Sequence, residues 1–399
     1  MKMRSKFNLT ALILILFFTS CQKEKPINEI IDTSLSFAEK QYTAMAEVMK
    51  DKPGLLPRTL DTTGTLVTSN TGWWTSGFVP GSLWYLYENT KDEKFREYAS
   101  RMTSYIEKEK YNKGTHDLGF MLYCSFGNGL RLTNDTSYKE VLLTGARSLS
   151  TRFRPNVGCI QSWGSRKGWQ CPVIIDNMMN LEFLMWAFKD SGDSSFYKIA
   201  VIHSDTTIKN HFRPDYSTWH VVSYDTISGK VEAKQTAQGA ADGSAWARGQ
   251  SWGLYGYTVM YRETGLQRYL DQAVHIADFL LNHPNLPEDK IPYWDYDAPG
   301  IPDAKRDASA GAIMASALIE LSGYVDQPKK QEYLGVAEKQ IRSLASPEYM
   351  AKFGENGNFI LKHSVGSLPA KSEVDVPLTY ADYYFIEALL RYKRLLGSL

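Results

Sequence analysis

The chain has no CxxC, no HExxH and only seven histidines, scattered over 399 residues. The usual zinc spacings are therefore missing, and no metal is expected. No basic run or stripe is present either. Lys and Arg total 45 against 44 Asp and Glu, a net charge of +1, which excludes nucleic acid as the main partner. Cysteine is scarce, at four. If Cys21 carries lipid, Cys124, Cys159 and Cys171 remain, an odd set that argues against a disulfide framework, although Cys159 and Cys171 are free to pair in an oxidising compartment. There is no low-complexity segment. The apolar stretch from Leu9 to Phe18 is too short for an ordinary transmembrane helix.

What the N-terminus does contain is a targeting pattern. Lys2, Arg4 and Lys6 precede that apolar stretch, and Phe18-Thr19-Ser20-Cys21 follows it. The pattern is that of a bacterial lipoprotein signal over residues 1–20, cut before Cys21, which then carries lipid. An ordinary secretory signal with an incidental cysteine is the alternative. Residues 21–30 read as a short tether, and 31–399 as one large domain. The expected location is the periplasm or outer membrane, with the lipid as the only membrane contact. The chain is expected as a monomer or a small homo-oligomer.

Helical periodicity dominates the rest. It predicts twelve helices: 28–50, 77–90, 92–108, 117–132, 136–150, 174–190, 194–212, 244–263, 266–282, 307–323, 329–343 and 378–396. Short polar links such as Asn89-Thr90-Lys91-Asp92 and Asp190-Ser191-Gly192-Asp193 predict antiparallel neighbours. The longer links end in polar–aromatic motifs: Trp73-Trp74-Thr75-Ser76-Gly77-Phe78, His116-Asp117-Leu118-Gly119-Phe120, Asp176-Asn177-Met178-Met179-Asn180, Arg248-Gly249-Gln250-Ser251-Trp252, Arg306-Asp307-Ala308-Ser309-Ala310 and Tyr380-Ala381-Asp382-Tyr383-Tyr384. One such motif at every second helix implies six hairpins closed into an all-α (α/α)6 barrel, with the motifs converging at one end. Small residues (Gly77, Gly119, Ala308, Ala310, Ala381) suit crowded inner-helix starts. A β-hairpin is expected within the insert 213–243. The irregular motif spacing, roughly 40 to 70 residues, disfavours a stacked solenoid.

Two of those motifs supply carboxylates about 60 positions apart, Asp117 and Asp176, each at a helix start among aromatics. For either alone a helix cap is the plainer reading. Together, beside Trp and His, they suit general acid–base chemistry on a sugar, one ionised and helping to hold the proton on the other. Abundant aromatics (24 Tyr, 17 Phe, 10 Trp) fit sugar stacking. Trp74, Trp163, Trp246 and Trp252 are candidate platforms or, singly, core residues. His116 and His220 are candidate ligand binders or satisfied structural histidines. Arg248 is placed to fork onto a substrate carboxylate or into an interhelical salt bridge with Asp307 or Asp382. Asp307 and Asp382 themselves read as caps and ion-pair partners.

The segments HDLGF, IDNMMNLEFLMWA, ARGQSWGLYGY, IPYWDYDAPG…RDASA and SEVDVPLTYADYYFIEALLR resemble the unsaturated glucuronyl hydrolases, glycoside hydrolase family 88. The resemblance runs from about residue 30 to the C-terminus and implies the same (α/α)6 barrel. It implies removal of a 4,5-unsaturated uronic acid from the non-reducing end of lyase-made oligosaccharides, with glycosaminoglycan as the favoured source, by hydration of the C4=C5 vinyl ether. It implies no cofactor. By the same resemblance Asp176 is the acid/base and Asp117 the second essential carboxylate. Trp74 and Trp252 line the uronate pocket, and His220, Gln238 and Arg248 are its polar binders. Ser364 and Ser367 lie in a loop that meets the adjoining sugar or a sulfate. Two departures concern that sugar: Ala237 stands where relatives often have histidine, and Pro369 where some that accept sulfate have lysine. The rival readings are an unsaturated rhamnogalacturonyl hydrolase acting on pectin fragments and a non-catalytic glycan-binding lipoprotein.

Overall fold

The computed structural model describes residues 24–166 and 168–399. The leader and Cys21 lie outside the described residues. Helices are α1 (Ile27–Val48), α2 (Phe78–Thr90), α3 (Glu93–Ile106), α4 (π-helical Gly119–Gly127 continuing as Asn128–Thr133) and α5 (Ser137–Ser150). They continue as α6 (a 3-10 turn Ile175–Asn180, then Leu181–Ser191), α7 (Ser194–His211), α8 (Ala247–Thr264), α9 (Gln267–Leu281), α10 (Ala308–Leu321), α11 (Lys329–Leu344) and α12 (Thr379–Leu395). Helix α1 begins at Ile27, so the last residues of the expected 21–30 tether belong to a helix.

The even-numbered helices close a ring: α2 packs on α4, α4 on α6, α6 on α8, α8 on α10, α10 on α12, and α12 on α2. Each is backed by the helix that follows it in sequence, except α12, which is backed by α1 from the other end of the chain. This is the (α/α)6 barrel. Helix α10 is apolar and buried from Ala308 to Ile319, whereas α8 and α12 bury polar groups such as Arg248, Gln250, Asp382 and Glu387 among their apolar ones. Helices α2, α4, α6 and α8 end on left-handed residues at Lys91, Asn134, Gly192 and Gly265, and Asp92 and Asp193 cap the helices that follow α2 and α6. Crowding at inner-helix starts is severe. A Cβ on Gly77 would stand 2.1 Å from the Phe120 carbonyl oxygen.

The sheet content exceeds the single hairpin expected. Strands β1 (Leu55–Leu60) and β2 (Leu66–Asn70) pair, as do β3 (Phe153–Arg154) and β4 (Cys159–Ile160). The expected hairpin, β6 (Val221–Tyr224) with β7 (Val231–Gln235), gains β5 (Cys171–Ile174) as a third strand. The last pair is β8 (Ser364–Ser367) with β9 (Ser372–Val376). These strands are short and irregular in alternation, so a periodic reading passes over them. Cys124, Cys159 and Cys171 are free thiols.

Candidate active site

At the motif-bearing end of the ring lies a cavity of about 130 Å³ lined by Trp74, His116, Asp117, Trp163, Ile174, Asp176, Gln238 and Arg248. A second of about 220 Å³ shares Trp74, Gln238 and Arg248 with it and adds Arg58, Trp73, Ser367, Glu373 and Tyr380. The two carboxylates therefore meet in one chamber, and a second chamber opens beside it.

Their convergence has a local cause. The Asn180 side-chain oxygen accepts the Phe120 N–H at 3.2 Å and latches the start of α4 to that of α6. Gly119 permits this approach, since a Cβ there would stand 2.6 Å from Asn180 Oδ1. Neither aspartate side chain caps its helix. Asp117 accepts from Thr115 Oγ1 at 2.8 Å and lies 3.3 Å from His116 Nε2. Asp176 is buried, and its Oδ2 has no hydrogen-bond partner. A buried carboxylate oxygen without a donor disfavours ionisation. Burial accordingly raises the Asp176 pKa to about 7, against the pull of Arg248, with the Asp117 charge adding to the rise. Like-charge repulsion is thus secondary to desolvation here.

Arg248 is itself fully buried. It pairs with Asp307 at 3.0 Å and donates to the carbonyls of Val365 and Gly366, the latter at 2.6 Å. Its guanidinium lies over Trp246 and Tyr380. The interhelical salt bridge is therefore present, and the same group presents positive charge to the chamber. Asp307 caps α10 through Ser309 N. Gln238 donates to the Gly366 carbonyl at 2.9 Å, so both side chains pin β8 to the barrel mouth.

His220 Nδ1 faces the backbone N–H groups of Ala237 and Gln238, which makes it an acceptor and puts the ring proton on Nε2. That nitrogen points to Asp176 Oδ2 at 3.8 Å, and burial lowers the His220 pKa to about 3. His116 is also buried, which lowers its pKa. Both are neutral polar groups: His116 lines the chamber, whereas His220, expected as a binder of the uronate, is buried behind Asp176 and lines neither chamber.

Three expectations are corrected, and Trp246 takes its core alternative. Trp252 is fully buried beneath Phe120 and Tyr384 and lines neither chamber, so it forms floor and not a stacking platform; its indole N–H faces Asp176 without a well-formed hydrogen bond. Trp246 is likewise buried, packed on His220. Ser364 is buried with an unpartnered Oγ and lines neither chamber, whereas Ser367 lines the second. Asp382 is neither cap nor ion-pair partner: it accepts from Tyr42 and from the N–H groups of Ile360 and Leu361. Residues that the sequence reading passed over are Asn177, Asn180, Arg152, Arg58 and Glu373. The two asparagines carried a signal, as polar side chains at an otherwise apolar helix start. Arg152, whose guanidinium holds the carbonyls of Lys113, Gln161 and Ser162, carried none.

The pattern of Glycosyl Hydrolase Family 88 matches residues 47–393. An unsaturated glucuronyl hydrolase from Formosa agariphila is 49% identical over 81% of this chain and 80% of its own length. Among solved structures, an unsaturated glucuronyl hydrolase specific for heparin superposes with a TM-score of 0.90 at 48% identity, covering 93% of this chain and 98% of the other. One from Bacillus sp. GL1, responsible for the degradation of glycosaminoglycan, gives 0.84 at 30%, covering 92% and 97%.

Proposed function

The chain belongs to Glycosyl Hydrolase Family 88, and from that premise we propose that it removes a 4,5-unsaturated uronic acid from lyase-cut glycosaminoglycan fragments. Relatives specific for heparin or responsible for degrading glycosaminoglycan support that substrate class. The observation that carries the reaction is Asp176: a buried carboxyl with a free oxygen and a pKa of about 7, facing the same chamber as Asp117. Such a group holds its proton near neutrality and releases it to a base no stronger than an enol ether carbon once that carbon is held against it.

In this reading Asp176 protonates C4 of the vinyl ether. Positive charge develops at C5 and the ring oxygen, next to Asp117. Water adds at C5 and returns a proton to Asp176. The hemiketal so formed opens, and the hemiacetal exposed at C1 expels the remaining sugar. Arg248, which lines both chambers, supplies positive potential for the substrate carboxylate, while the His220 Nε2–H faces Asp176. Trp74, shared by both chambers, is the face on which the two sugar rings meet. Retaining and inverting schemes do not apply, because the glycosidic bond is not attacked directly.

The leader supports a lipoprotein anchored at Cys21 in the periplasm or outer membrane. Incubation with lyase digests of chondroitin, hyaluronan, heparin and pectin, followed at the ultraviolet band of the conjugated alkene, tests the reaction. Bleaching in a glycosaminoglycan digest, abolished by Asp176→Asn, is expected. Persistence in every digest refutes the reading, and bleaching in pectin alone moves it to the rhamnogalacturonyl class. Cys21→Ser should release the protein from membranes.

A further inference from the structure

Arg166 stacks on a wall residue of the catalytic chamber and has no acidic partner among the described residues. Its guanidinium lies 4.0 Å from the Trp163 ring centroid, and Trp163 lines the chamber with Asp117 and Asp176. Trp163 in turn stacks on Trp169, 6.0 Å away at 22°. The loop is held: Arg166 and Trp169 exchange backbone hydrogen bonds of 3.1 and 2.8 Å, and Ser165 Oγ donates to the Gln170 carbonyl at 2.6 Å. Arg152 and the Asn177 side chain grip the base of this loop through Gln161, Ser162 and Ile160. The arginines paired with carboxylates around the second chamber and the mouth include Arg58 with Glu373 and Arg248 with Asp307. No ion pair of Arg166 occurs among the described residues, and its side chain is exposed. Its charge is felt behind Asp176, where after burial and Arg248 it adds to the lowering of the His220 pKa.

An exposed arginine on a lysine- and arginine-containing surface is ordinarily just solvated. This one is stacked, loop-locked and uncompensated beside a chamber built for an acidic sugar. A guanidinium so placed keeps its in-plane N–H donors free while its face rests on the indole, the arrangement that receives a tetrahedral oxyanion. Its partner Trp163 lines the first chamber, whereas Ser367 lines the second.

We propose that Arg166, stacked on Trp163, is a sulfate subsite: it reads a sulfate ester or N-sulfate on the disaccharide at the scissile linkage. This rests on the reaction assigned above for the sugar class alone. The donors come to the sulfate already oriented, so the gain is one charge-assisted contact in partly exposed surroundings, about five- to tenfold in affinity.

The test uses binding, so that it does not depend on turnover. Four unsaturated disaccharides, unsulfated, 2-O-sulfated on the uronate, N-sulfated and 6-O-sulfated, are titrated calorimetrically into Asp176→Asn and into Asp176→Asn/Arg166→Gln. A preference of about five- to tenfold for at least one sulfated member is expected in the first protein and should vanish in the second, with partial recovery for Arg166→Lys. The member that responds identifies which ring carries the group. No preference at the outset, a preference unchanged by Arg166→Gln, or an equal loss on all four ligands overturns the proposal. The last outcome would make Arg166 a prop for Trp163. If the unaltered protein bleaches none of the four alkenes, the reaction reading fails, while the binding comparison still decides the subsite.

Discussion

Asp176 and Asp382 both lie in the first turn of an inner helix, both are buried, and burial lifts both pKa values to about 7. Their surroundings differ. Asp382 receives three hydrogen bonds, from Tyr42 and from the amides of Ile360 and Leu361, and so joins α12, α1 and a loop into one packed corner. Asp176 leaves an oxygen without a donor and faces a cavity. A raised pKa by itself therefore does not identify a reacting group. What separates the two is whether the carboxyl's lone pairs are already used, and whether empty space adjoins them. Burial makes the proton available; the unspent oxygen makes it useful.

The widest separation between the two should come from Asp176→Asn. Turnover is expected to fall by a factor of about 10³ or more with the fold retained, because an amide has no proton to give to C4. The same substitution should stabilise. Unfolded, this carboxyl ionises near 3.8; folded, it holds its proton to about 7. The folded state thus binds more protons between those values, and stability falls as pH rises through them. Asparagine escapes that loss, so the variant should gain on the order of 2–4 kcal/mol at pH 8 and little at pH 4, measurable by denaturant titration at both values. A kcat near that of the unaltered protein would remove Asp176 from the chemistry.

Arg248→Met comes next. It strands Asp307, which is wholly buried, and should cost about 3–5 kcal/mol of stability. In whatever fraction folds, the loss of positive charge should raise the Asp176 pKa further and carry the alkaline limb of kcat/KM upward. Asp382→Ala should do the reverse of Asp176→Asn: a loss of about 2–4 kcal/mol from buried donors left unpaired, with turnover per folded molecule within a few fold. Similar turnover losses for Asp176→Asn and Asp382→Ala, after correction for folded fraction, would break the comparison.

The smallest effect is a displacement in pH. The unaltered protein should lose kcat/KM above about pH 7, as Asp176 gives up its proton. Asp117→Asn removes a charge that holds that proton on, so the alkaline limb of the residual activity should move to lower pH. A limb that stays in place would mean that the Asp117 charge has no part in setting the Asp176 pKa.

Much of this was legible in the chain. All twelve helices lie where the periodicity puts them, because a helix buried on several faces and one with a single apolar stripe both repeat at 3.6 residues. The alternation of motif and hairpin gave the ring. Asp117 and Asp176 stood out as carboxylates among aromatics. The strands around the mouth were mostly missed, since two- to six-residue strands held by tertiary contacts carry little period of their own. Trp252 and Ser364 read as ligand contacts because a residue's type does not say which side of a wall it faces. Arg166 went unnoticed for the same reason: only the fold seats Trp163 beneath it.

Residue order by itself determined the helices, their pairing and the set of chemistry-bearing motifs, because those follow from local periodicity and short links. Only the tertiary structure decided which carboxyl is left with an idle oxygen, which arginine is spent on a buried partner and which remains free. Those outcomes depend on contacts between segments tens to hundreds of residues apart, and on the water that such contacts exclude.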